Sequence, residues 1–184
     1  MSFKTEHQEK FRSLSLALAP ENREQIRLAA NGGNTVLFVF PPKDEEDYIA
    51  EAKRRFADAK IIDVRELFVR YIERYDWDEF ESFYNNYRMQ PEIVFRTDGE
   101  NKKLFHMIID EIENSITNQH IPFLVHTGAL YGTGIENINI MQDSRVLQFK
   151  LPLVFFYPAV IRDDQDLRFL GFKPASKYRC KLIK

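Results

Sequence analysis

The sequence predicts an α/β fold: a single open, mostly parallel sheet with helices on both faces. Three observations predict it. "TVLFVF" (Thr35 to Phe40) is a continuous apolar run, as expected of a strand buried on both faces. "DEEDYIAEAKRRFAD" (Asp44 to Asp58) and "KIIDV" (Lys60 to Val64) follow it. Strand, helix and strand thus succeed one another within about 30 residues, which is a βαβ unit with parallel strands. Further apolar runs, "PFLVH" (Pro122 to His126) and "LPLVFFYP" (Leu151 to Pro158), alternate with helical stretches.

Each element has its own justification. Phe3, His7, Phe11, Leu14 and Leu18 fall three and four apart, on one face of an N-terminal helix. Pro20 opens a second short helix and "NGGN" (Asn31 to Asn34) stops it. Pro41-Pro42 ends the first strand. The helix after it carries acids in its first turn, Lys53, Arg54 and Arg55 late, and a Tyr48, Ala52, Phe56 stripe. A helical stretch rich in aromatics runs from Arg65 to about Arg88, and "RTDGENKK" (Arg96 to Lys103) is a turn. Phe105, Ile108, Ile109, Ile112 and Ile116 share one face of the next helix. A further helical segment spans about Ile135 to Asp143, and "KYRCKLI" (Lys177 to Ile183) alternates as a final edge strand. Pro41-Pro42, Thr127 to Gly134 and Tyr157-Pro158 each follow a strand. A parallel sheet gathers them at its carboxyl edge, where α/β folds place ligand crevices.

Length fits one domain, residues 1–184, with the helices of residues 1–33 packed on the sheet. Apolar residues make up 44% of the chain and aromatics 14%, a globular composition. A net charge of -2 gives no push toward nucleic acid or anionic membrane. A single cysteine, Cys180, excludes an internal disulfide and a cysteine-built zinc site, and fits a reducing cytoplasm. The charged start "MSFKTEHQEKFRSL" lacks the apolar core of a signal peptide, and no apolar run is long enough to span a bilayer. A cytoplasmic location is expected.

Searching for chemistry yields no motif. No G-x-x-x-x-G-K-[ST] or G-x-G-x-x-G string occurs. "TGALYGTG" has glycines at 128, 132 and 134 but no lysine. These glycines either permit positive φ and tight packing or present backbone N–H groups to an anion. His126 ends a strand at the carboxyl edge, where a general base can sit, but no nucleophile adjoins it in the sequence. "RDDQD" clusters Asp163, Asp164 and Asp166, either as a Mg²⁺ site or as an exposed loop. Lys173, Lys177, Arg179, Lys181 and Lys184 make a basic tail, suited to edge protection or to backbone contact with nucleic acid. The aromatic helices, Phe68 to Tyr87, serve either a core or an interface.

Five segments in order resemble the BrxB family, small components of bacteriophage-exclusion (BREX) defence systems. "LFVFPPKDEEDYIAEAKRRF" is similar to the family's strand, proline-bearing turn and charged helix. "AKIIDVRELFVRYIE" is similar to its strand leading into a helix that starts D-or-N-L-hydrophobic. "FLVHTGALYGTGIENINIMQ" resembles its T-G-V-G-x-x-[YF]-P segment, "LPLVFFYPAVIRDDQDLRFLGF" its [FY]-x-P-G turn and S-L-x-L-F-G run, and "KYRCKLI" its terminal strand. Gly132 stands where the family has proline, "TGIEN" replaces the usual arginine, and Ala159 stands where the family has glycine, departures that fit a divergent member or a related branch.

The resemblance implies a non-catalytic component of an antiphage complex that binds a PglZ-like protein of the alkaline-phosphatase superfamily. It implies a nucleotide-binding, P-loop/Rossmann-like type of α/β fold without a phosphate-binding loop. No catalytic residue, metal or cofactor is then expected. The candidate partner-binding residues are Pro41, Pro42, Thr127, Gly128, Tyr131, Tyr157 and Pro158. A homodimer is allowed, and neither direct nucleic-acid contact nor a membrane is expected. The alternative is a nucleotide- or phosphate-binding enzyme or sensor. It would use the glycine-rich turn at residues 127–134 with His126, Asp163, Asp164 and Asp166.

Overall fold

The computed structural model describes residues 5–99, 102–162 and 166–184, so Phe3, Asp163 and Asp164 lie outside the described residues. Helix α1 (Thr5–Leu18) buries Phe11, Leu14, Ala17 and Leu18. A 3₁₀ turn at Pro20–Asn22 leads into α2 (Arg23–Ala29). Strand β1 (Thr35–Phe40) is buried at every residue, as its unbroken apolar run requires. The two prolines then turn the chain into α3 (Glu45–Arg55), whose three acids in the first turn and three bases in the last complement the helix dipole. Asp63 closes β2 (Lys60–Asp63) and caps α4 (Val64–Ile72) by accepting the Arg65 N–H. Helices α5 (Trp77–Tyr87), α6 (Pro91–Phe95) and α7 (Leu104–Thr117) precede β3 (Pro122–Val125). After a 3₁₀ turn at Thr127–Leu130 come α8 (Asn137–Met141), α9 (Ser144–Gln148) and β4 (Leu153–Arg162). Strands β5 (Asp166–Phe169), β6 (Lys173–Pro174) and β7 (Cys180–Ile183) complete the described chain.

The strands run β2-β3-β4-β1-β7, all parallel, with β5 antiparallel on β4 and β6 antiparallel on β5. Alternate β1 residues serve two cores. Val36, Phe38 and Phe40 pack with Phe11, Ile26 and Tyr48 from α1–α3. Leu37 and Val39 pack on the opposite face with Leu67, Ile108 and Ile112 from α4 and α7. The architecture is therefore an open α/β sheet, mixed at one corner and covered by helices on both faces.

Four expectations are corrected. The stretch Arg65–Arg88 is two helices, because Asp76 caps a fresh start at Trp77. The helical segment expected over Ile135–Asp143 is the single turn of α8, with α9 separate from it. The final strand begins only at Cys180. Tyr157 and Pro158 do not follow a strand: they lie inside β4, which runs on to Arg162.

Pro158 is tolerated there for a geometric reason. Leu153 N–H bonds Asn34 O toward β1, so alternate residues of β4 face β1 and the residues between them face β3. Pro158 faces the β3 side, and β3 pairs β4 only at Val154 and Phe155. The missing N–H falls where no parallel neighbour remains, and the Pro158 carbonyl accepts Leu170 N–H at 2.8 Å. Among the described residues, no helix is long and apolar enough to cross a membrane.

Candidate functional site

The carboxyl edge of the sheet gathers three of the singled-out segments, but not all of their side chains reach solvent. Thr127 is fully buried, and its Oγ1 donates to Phe156 O at 2.7 Å, tying the turn after β3 to β4. Tyr157 is buried, stacked on Phe169 with ring centroids 4.8 Å apart, and burial raises its hydroxyl pKa. Pro158 is buried as well. The side chains of these three partner-binding candidates are therefore buried in this structure rather than presented to solvent. Pro41, Pro42 and Gly128 are half-buried. Pro41 lines an open groove of about 520 Å³ between Glu6 and Lys10 of α1 and Val160 and Ile161 of the β4 overhang.

Tyr131 is the one large side chain of the expected set in open contact with solvent, at 53% exposure. Its ring meets Phe172 edge-on with centroids 5.4 Å apart, and Phe172 is 56% exposed. Phe172 follows the β5 strand, in a hairpin the sequence did not announce.

The glycine-rich turn is shaped by packing. Gly132 and Gly134 have φ of +81° and +72°, where a side chain is strained. A Cβ on Gly134 would sit 2.8 Å from the Glu92 backbone N, so this glycine lets the turn touch α6. Arg96 Nε donates to Gly134 O at 3.0 Å and fixes the same approach. The N–H groups of Ala129, Tyr131 and Thr133 bond carbonyls within the turn, and that of Ile135 bonds Thr133 Oγ1. Those donors are already spent on the turn itself.

The titratable centre of the edge is His126. It adopts the left-handed region, φ 53°, directly after β3, and it is 6% exposed. Nδ1 lies 2.9 Å from Asp63 Oδ2 and Nε2 lies 3.1 Å from Glu46 Oε1. The pairing of β2 with β3 sets Asp63 beside Val125, which brings the next residue against the aspartate. Arg65 bonds Asp63 at 3.1 Å and lies 3.6 Å from Glu46. A neutral imidazole has one N–H and can donate to only one of two carboxylates. Burial works to raise the Asp63 carboxyl, but the Arg65 side-chain and backbone hydrogen bonds and the nearby His126 outweigh it and hold the group below its ordinary value. Burial raises the Glu45 carboxyl, and its Oε1 is buried without a hydrogen-bond partner among the described residues.

This cluster ties three chain segments together, with both histidine nitrogens committed to carboxylates. Its surroundings are acidic, with Glu45, Glu46 and Asp63 against Arg65, which disfavours a phosphate. Among the described residues, no three His, Cys, Asp or Glu side chains are arranged to hold a metal ion. Asp166 pairs with Arg168 at 2.7 Å at the start of β5. Burial pushes the Cys180 thiol up to about 12.

Sequence reading found His126 but missed Asp63, Glu46, Arg65 and Phe172. Asp63 alone carried a signal, as an aspartate between a strand and a helix on the same edge. No protein-family model, curated protein or solved structure matches the chain.

Proposed function

We propose that the chain is a non-catalytic, cytoplasmic component of a BREX-type antiphage complex, and that it docks onto a PglZ-like protein of the alkaline-phosphatase superfamily. Five ordered segments similar to the BrxB family support the assignment. The observation that carries the docking reading is the exposed Tyr131–Phe172 pair on the carboxyl edge. Two aromatic rings held edge-on in solvent are the kind of anchor that dominates binding energy at protein interfaces. The acidic setting of His126 and the inward use of the glycine turn favour docking over the nucleotide-binding alternative.

The test is the affinity of the purified chain for its phosphatase-like partner, with and without Tyr131→Ala and Phe172→Ala together. Loss of about tenfold or more is expected from a truncated hot spot. Unchanged affinity in the folded double variant removes the pair from the interface. A thermal-shift series with ATP, GTP and Mg²⁺ tests the alternative, since tight binding raises Tm by mass action.

A further inference from the structure

Helix α5 is the least buried long helix of the fold, and the composition of its outer surface is specific. Of its eleven residues, only Phe80 is buried and Phe83 half-buried. Trp77 is 62% exposed and Tyr84 36%; both flank Phe80, each with ring centroids 6.3 Å from it. Positions 77, 81 and 84 are four and three apart, so Glu81 lies between the two rings on one helix face. Asp78 adjoins that face from the first turn, while Glu79 lies on the opposite side of the helix. Between residues 73 and 92 the chain carries six acids (Glu73, Asp76, Asp78, Glu79, Glu81, Glu92) against two bases, Arg74 and Arg88. Arg74 is already held by Lys102 O at 2.8 Å. Arg88 lies one turn beyond Tyr84. No ion pair among the described residues uses Asp78, Glu79 or Glu81.

We infer that the Trp77–Glu81–Tyr84 face of α5 is a docking surface for a basic, arginine- or lysine-bearing segment of a partner protein. This rests on the reading of the chain as a docking protein, but not on which complex it serves. A guanidinium or ammonium group laid across the face meets two ring faces and a carboxylate between them. Cation–π contact and ion pairing then act on the same charge. The electrostatic sign excludes a nucleic-acid backbone or an anionic membrane as occupant. The surface differs from the Tyr131–Phe172 edge in chemistry.

Trp77 is the only tryptophan in the sequence, so its fluorescence reports on this face alone. The experiment titrates the full chain with a synthetic peptide alternating arginine and alanine, then with its glutamate counterpart. The result expected is a saturable change in Trp77 emission with the arginine peptide only, weakened by salt. In a Glu81→Gln, Tyr84→Ala double variant, checked for an unchanged circular dichroism spectrum, affinity should fall about tenfold. Glu81→Gln alone keeps helix propensity and should show an intermediate loss.

No saturable change with the arginine peptide overturns the inference, as does an equal response in the double variant. Self-association of the wild-type chain that Glu81→Gln abolishes makes a second copy the occupant, and overturns it too. Failure to co-purify with a phosphatase-like protein would count against the proposed complex and leave this titration unaffected.

Discussion

Replacing Gly134 by alanine, with Gly132→Ala as its control, separates the two roles a glycine-rich turn can have. Both glycines occupy positive φ, so both variants incur the left-handed cost of an L-residue, about 1–2 kcal/mol. The surroundings differ. Around Gly132 a new Cβ meets nothing within 4 Å, whereas at Gly134 it meets Glu92 N and Cβ at 2.8 Å and Cα at 2.9 Å. Glu92 lies in α6, so the obstacle is helical backbone and not the far end of a flexible side chain. Relief requires the turn and α6 to separate, which also strains the Arg96 bond to Gly134 O. Overpacking of this kind adds about 1–3 kcal/mol.

Gly132→Ala should therefore cost about 1–2 kcal/mol and Gly134→Ala about 2–5 kcal/mol. For a chain of this size these losses lower Tm by about 2–8 °C and about 4–20 °C. Urea denaturation followed by far-ultraviolet circular dichroism, at constant m-value, measures the difference. Equal losses in the two variants would refute the packing argument, and the turn would need another reason for its glycines.

Three further outcomes are expected. Thr127→Val removes the donor to buried Phe156 O and should cost about 1–3 kcal/mol, read as a lower urea midpoint; a neutral effect would mean that water reaches the carbonyl. Glu45 has a raised folded pKa, so its contribution is fully present below its unfolded value and is lost as pH rises through the folded one. Glu45→Gln should thus raise Tm at neutral pH and lose that advantage in acid, and a Tm gain independent of pH would contradict the burial argument. Asp63 runs the other way: its lowered carboxyl contributes above the unfolded value of about 3.9 and loses that contribution as pH falls through the folded one. Asp63→Asn keeps a capping side chain, so acid titration should show the variant less stable at neutral pH and the two curves converging toward acid.

Strands β1 and β3 were legible because burial of every residue leaves them almost wholly apolar, as in "TVLFVF" and "PFLV". Helix α3 was legible because its charges sort by dipole. The β5–β6 hairpin was not. Its strands are four and two residues long and include Arg168, Lys173 and Pro174, so it carries no periodicity to read. Pro158 misled for a definite reason: proline usually ends a strand, but here its absent donor points to a side where β3 has already stopped. The His126 cluster depends on residues 46, 63 and 126 meeting. Residues 63 and 126 meet because β2 and β3 are neighbours, and Glu46 reaches them from α3, neither of which any local stretch encodes.

The proposed docking role meets its most direct test in co-expression of the tagged chain with the proteins encoded beside it, followed by affinity capture and size exclusion. The account predicts a stable complex in which the chain co-elutes with a phosphatase-like protein and the Tyr131→Ala, Phe172→Ala variant does not. A chain that elutes alone, with every neighbouring protein expressed and folded, would contradict it.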